Sequence, residues 1–94
     1  MSIRLTVQFE IQDGKASQFE EVAGSAARKV RADDKGCEAY DLFKSVDADT
    51  RYVLVESWAT KEDLDAHGSS PAMAEMGKIR EFLAGRPTMH RYED

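Results

Sequence analysis

Apolar and polar residues alternate strictly near the start of the chain: Ile3, Leu5, Val7, Phe9 and Ile11 are separated by Arg4, Thr6, Gln8 and Glu10. Side chains along a strand point to opposite faces in turn, so this pattern predicts a strand with one strongly apolar face. Asp13-Gly14 marks a turn, and beyond it the period changes. Phe19, Val22, Ala23, Ala26 and Val30 recur at helical spacing while Glu20, Glu21, Arg28 and Arg31 face away, which predicts an amphipathic helix over residues 16–32. Two β-prone runs follow, residues 37–45 and 52–58, joined by a polar hairpin-like link. In the second run Tyr52, Leu54, Glu56 and Trp58 share one face, and Val53, Val55 and Ser57 the other. Thr60 standing before Asp63, and Ser70 before Pro71, are helix-start signals, so the next helical region should break near Gly68-Ser69. Met73, Met76, Ile79 and Leu83 form its later apolar stripe. Gly85 and Pro87 stop it, and residues 88–93 make a last short strand.

The order is strand, helix, strand, strand, helix, strand. It predicts an α+β domain over residues 1–94, with a ferredoxin-like antiparallel sheet and the helices on one face. Neither face of the 52–58 strand is properly polar, and either the Tyr40/Leu42 row or the Ala39/Phe43 row adds to the uncovered side. A chain of 94 residues buries only about 60–65% of the surface its unfolded form exposes. A homodimer packed sheet against sheet is therefore expected.

Charge narrows the partners. Eighteen acidic residues against thirteen basic ones leave a formal charge of −5, which argues against nucleic acid and anionic membranes. No apolar stretch approaches the length of a membrane span, and no signal-peptide pattern opens the chain. The single cysteine, Cys37, has no internal partner for a disulfide and reads as a packing residue, which suits a reducing, cytoplasmic setting. Gly14, Gly24 and Gly36 form no phosphate-cradling pattern, and His, Cys and carboxylates do not cluster at ligand spacing. Neither a cofactor nor a metal is expected.

Gly36-Cys37, Tyr40-Asp41-Leu42, Glu56-Ser57-Trp58, Leu64…His67…Ser70-Pro71 and the ending Leu83-Ala84-Gly85-Arg86-Pro87…Arg91-Tyr92-Glu93 carry a resemblance along nearly the whole chain. In this order and spacing they resemble the antibiotic biosynthesis monooxygenase family of dimeric α+β barrels. The resemblance implies one of several activities: cofactor-free oxygenation of quinols or polyketides, haem degradation, or isomerisation of a phosphorylated signalling sugar. For haem degradation the family pattern asks for Asn, Trp and His at positions that here hold Val7, His67 and Gly77, so haem is set aside.

Cofactor-free oxygenation asks for a base, an apolar slot and shelter from water. His67 is the first candidate base, its bland alternative being a helix-end histidine that bonds locally. Tyr40 either orients the substrate or is a core tyrosine with its hydroxyl at the rim. Trp58, Met73, Met76 and Phe43 are candidate substrate contacts, with sheet packing as the alternative for Trp58 and core packing for the two methionines. Glu56, a carboxylate within an apolar strand, needs a partner, and Arg51, or Arg91 of either subunit, is expected to supply it. The leading expectation is a cofactor-independent monooxygenase of a quinol or polycyclic phenol. Two alternatives are an isomerase of a small carbonyl compound, with His67 as proton shuttle, and a non-catalytic ligand-binding or dimerisation module. A cavity between helices and sheet would favour an enzyme; a filled sheet centre would favour the module.

Overall fold

The leading alternation becomes β1 (Ile3–Glu10), and its apolar residues are buried to the last. The computed structural model describes residues 2–93. After the Asp13-Gly14 turn, in which Gly14 takes a φ of 82° that favours glycine, α1 runs over Ala16–Asp33. It buries Phe19, Ala23, Ala26, Ala27 and Val30, one stripe of small and apolar side chains that lets the helix lie close on the sheet. β2 (Cys37–Lys44) and β3 (Arg51–Trp58) form the hairpin, with a bulge between Cys37 and Ala39. β4 (Thr88–Glu93) closes the order, exposed along its length.

The sheet is antiparallel throughout, ordered β2-β3-β1-β4. With the helices, it is the α+β, ferredoxin-like arrangement that the element order predicts. Residues paired across strands share a face, so the registers sort the whole sheet. Leu42–Leu54–Val7–Met89 and Tyr40–Glu56–Leu5–Arg91 are rows on the helix side. Phe43–Val53–Gln8–Thr88 and Asp41–Val55–Thr6–His90 are rows on the other side. The outer surface thus includes the Ala39/Phe43 row, and no helix among the described residues covers it.

The helical return divides as its caps require. Thr60 Oγ1 accepts from the Asp63 amide at 3.1 Å to start α2 (Lys61–His67), and Ser70 Oγ accepts from the Met73 amide at 3.1 Å to start α3 (Pro71–Met76). Gly36 (φ 80°) leads into β2 where a Cβ would stand 2.1 Å from the Asp63 carboxylate, so only glycine lets α2 pack there. Beyond α3 the chain differs from the expected single helix. Gly77–Phe82 is a 3-10 helix, whose three residues per turn bring Met76, Ile79 and Phe82 inward at every third position. Leu83 is consequently only partly buried, pairing with Ile11 in an isolated bridge.

Candidate functional site

Between the inner face of the sheet and the α3/3-10 segment lies a cavity of about 240 Å³. Val7 and Phe9 of β1 and Leu54 of β3 line its sheet side. Met73, Met76 and Ile79 line its helix side, and Leu83, Pro87 and Met89 stand around its edge. Two polar side chains reach it from the sheet, Tyr40 and Glu56, which are direct partners across β2 and β3. Both are almost completely buried, and Arg80 of the 3-10 helix stands exposed at the mouth.

Glu56 is a carboxylate held in an apolar sheet by a neighbour on the same face. Trp58, two residues along β3, donates from Nε1 to Glu56 Oε1 at 3.0 Å. The second carboxylate oxygen makes no hydrogen bond among the described residues, and Glu56 borders the cavity. Burial pushes this carboxyl above its ordinary range, against the opposing effects of the Trp58 hydrogen bond and the His67 ring. Within the chain neither Arg51 nor Arg91 pairs with Glu56 among the described residues. Arg51 instead holds Glu10 at 2.6 Å, and Arg91 reaches Glu93 at 3.4 Å. Burial, with the Glu56 charge beside it, likewise pushes the Tyr40 phenol upward and keeps it protonated.

Behind these two groups sits a second layer of polar side chains. His67, at the end of α2, donates from Nδ1 to Asp34 Oδ2 at 2.6 Å, and Ser70 donates to the same oxygen at 2.9 Å. Asp34 is the residue at which α1 ends, so one carboxylate ties the end of that helix to the break between α2 and α3. The bond fixes the His67 ring, whose plane stacks on Trp58 with centroids 4.5 Å apart and meets Tyr40 edge-on at 5.3 Å. A continuous chain results: Ser70, Asp34, His67, Trp58, Glu56, cavity.

Tyr40, Met73 and Met76 border the cavity. Trp58 is completely buried one layer back, and His67 does not line the cavity but stands behind Trp58 and Tyr40. Phe43 lies on the opposite face of the sheet, half exposed, beside Val53. Cys37 is partly buried and its thiol is pushed up by burial, which fits packing rather than nucleophilic chemistry. Among the described residues no three His, Cys, Asp or Glu side chains group as metal ligands do, and no helix is long and apolar enough to cross a membrane.

The comparisons with known proteins agree with this frame. Residues 2–78 match the family model for antibiotic biosynthesis monooxygenase. The chain belongs to the antibiotic biosynthesis monooxygenase family. It is similar to a Caulobacter crescentus CB15 protein described as a candidate antibiotic biosynthesis monooxygenase, at 30% identity over 99% of this chain and 89% of that one, with a TM-score of 0.87. A candidate antibiotic biosynthesis monooxygenase from Nitrosomonas europaea shares the fold at a TM-score of 0.91, with 20% identity over 99% of this chain and 89% of that one. So does SnoaB, a cofactor-independent oxygenase from Streptomyces nogalater, in a mutant form: TM-score 0.84, 17% identity, 99% of this chain and 92% of that one. No curated protein matches the sequence.

Within this monooxygenase-family fold, the residues that sequence reasoning underrated are Glu56, Asp34 and Arg80. Glu56 did carry a signal, a charge at an inward position of an apolar strand. Asp34 carried none, because its partner lies 33 residues away. Arg80 is one of several cations on the helical return and is singled out only by the cavity it borders.

Proposed function

We propose that this protein is a cofactor-independent monooxygenase of a quinol or polycyclic phenol, acting as a homodimer. One observation carries the proposal: a carboxyl group and a phenol stand side by side at the floor of a cavity that is apolar apart from Arg80 at its mouth. An aromatic ring fills such a space, and its hydroxyl meets Glu56 and Tyr40. The volume is below the roughly 300 Å³ at which pockets for drug-sized ligands begin, so one or two fused rings enter and further rings project through the mouth.

In this mechanism Glu56 takes the phenolic proton. A carboxyl raised by burial is a better match to a phenol than an ordinary one, because a base works best when its pKa approaches the working pH. Tyr40 donates a hydrogen bond to the phenolate oxygen. The electron-rich anion passes one electron to dioxygen, and the radical pair joins at the ring carbon para to the oxygen as a peroxide anion. Glu56 gives the phenolic proton to that anion, making the hydroperoxide. The Glu56 carboxylate then takes the hydrogen of the same carbon as a proton, the C–H electron pair forms the second carbonyl, and the O–O bond breaks to release hydroxide. Glu56 passes this second proton to the hydroxide. One oxygen atom enters the ring and the other leaves as water, so phenol plus dioxygen becomes quinone plus water. The methionines and the helix cover shelter the radical stage from solvent.

His67, the base expected on sequence grounds, has a positioning role in this mechanism. Held by Asp34, it backs Trp58, and Trp58 holds Glu56. The homodimer is supported by the uncovered outer face, where Phe43, Val53 and Val55 stand together on the two strands farthest from β4.

Oxygen uptake with naphthols and dihydroxynaphthalenes tests the proposal, using protein treated with chelator. The expected result with a naphthol is one dioxygen consumed per quinone formed, with oxygen from ¹⁸O₂ in the product. Absence of uptake across the series, or release of all consumed oxygen as hydrogen peroxide, would remove it.

A further inference from the structure

We propose that the substrate carries a carboxylate, and that Arg80 selects for it at the mouth of the cavity; the inference rests on the aromatic-site reading above. Thirteen of the described residues line the cavity, and Arg80 is the one basic residue among them. Its guanidinium makes no ion pair or hydrogen bond among the described residues. Arg31 is engaged with Asp41 at 3.5 Å, Arg51 with Glu10 at 2.6 Å and Arg91 with Glu93 at 3.4 Å. Arg28 and Arg86, like Arg80, make no such contact among the described residues, but neither borders the cavity. In a chain of formal charge −5, an uncommitted arginine beside an apolar opening is a recognition element in search of an anion.

The polar groups are segregated along the cavity. Tyr40 and Glu56 lie buried at the floor, where a hydroxyl fits and a carboxylate would meet the Glu56 charge. Arg80 lies at the opening, where a carboxylate stays partly hydrated. A ligand with a phenol at one end and an acid at the other enters in one orientation only.

The opening also has room for a side arm. Met73, Gly77 and Arg80 are shared with a neighbouring hollow of about 510 Å³ that extends toward Ser69 and Ser70. Lys78 borders that hollow but is already paired with Glu75 at 2.7 Å. One free guanidinium suits a single carboxylate, which its planar fork can hold through two hydrogen bonds. A phosphate dianion would call for a second free cation.

Calorimetric titration under nitrogen, so that no turnover intervenes, tests the inference with three probes of one skeleton: a hydroxynaphthoic acid, its carboxamide and the parent naphthol. The acid should bind about fivefold more tightly than the carboxamide, the upper range for a solvent-exposed ion pair, and added salt should shrink the preference. Arg80→Gln should weaken the acid to the level of the carboxamide and leave the naphthol unchanged. Arg86→Gln, outside the cavity, should leave the preference intact and so exclude a mere change in net charge. Equal binding of acid and carboxamide to the parent protein, or equal weakening of all three probes by Arg80→Gln, overturns the Arg80 role while leaving the aromatic site standing. If none of the three binds, the aromatic site and the inference built on it fall together.

Discussion

Replacing Glu56 by Gln should stabilise the protein at neutral pH while disabling it. Glu56 is 5% exposed, one of its oxygens accepts from Trp58, and the other makes no hydrogen bond among the described residues. No side-chain oxygen among the described residues is both sealed from solvent and unpartnered, so this second oxygen is only partly desolvated at the cavity. A fully buried group without a partner would cost about 1–3 kcal/mol, more when charged. Since the Trp58 bond survives in the amide and the cavity admits some water, the lower end applies, about 1 kcal/mol. For a domain of this size that corresponds to a melting temperature higher by about 4–8 °C. The sign with pH follows from the raised pKa of Glu56. Below the unfolded value, about 4.3, both states are protonated and the parent has no penalty. As pH rises toward the folded value, the unfolded chain releases its proton while the folded one keeps it, and the parent loses stability. Above the folded value the difference is constant. Melting curves of parent and variant from pH 3.5 to 8 should therefore nearly coincide in acid and separate toward neutrality, the variant being the more stable. A variant less stable at pH 7, with the gap closing in acid, would mean that the fold stabilises the Glu56 carboxylate, and the electrostatic reasoning would be refuted. On the kinetic side, loss of the base should cost about 10²- to 10⁴-fold in turnover, and parental activity should rise with pH through the Glu56 pKa. Parental turnover in a folded Glu56→Gln protein would end the proton role assigned to it.

Asp34→Ala should lower stability by about 1.5–3 kcal/mol, since it removes the hydrogen bonds of His67 and Ser70 to a charged group. Arg51→Ala, which breaks the exposed pair with Glu10, should cost less than about 1 kcal/mol; denaturant unfolding of both variants makes the comparison. Sedimentation at micromolar concentration should show a dimer burying more than about 1,000 Å² in total, and Val55→Asp on the outer face should shift it toward monomer; a monomeric parent would remove the sheet-to-sheet proposal. With Val7, His67 and Gly77 at the three positions that haem degradation asks of the family, haemin should not bind at one per chain, and a saturable Soret shift to that ratio would count against the assignment.

What the sequence determined by itself was whatever a local period or a cap decides. The alternation from Ile3 to Ile11 requires a strand, because only a period of two puts all five apolar side chains on one face. The Phe19-to-Val30 stripe requires a helix, and Thr60 and Ser70-Pro71 place the helix starts, since a cap acts within three residues of itself. Element order then leaves the ferredoxin-like arrangement as the way to bury these stripes together. The pairings of charged groups were decided only in three dimensions. Glu10 and Glu56 both sit in strands beside candidate arginines, and sheet register gives Arg51 to Glu10 while Glu56 receives Trp58. His67 reads as a base in a helix-end context, yet the end of α1 presents Asp34 to it from 33 residues away and directs it behind Trp58. Phe43 and Tyr40 are neighbours on one strand, but a separation of three residues puts them on opposite faces, one on the open sheet and one at the cavity floor. Period and capping act over one or two turns of chain. A site is made where distant segments pack, and its chemistry depends on burial and register, which no local stretch contains.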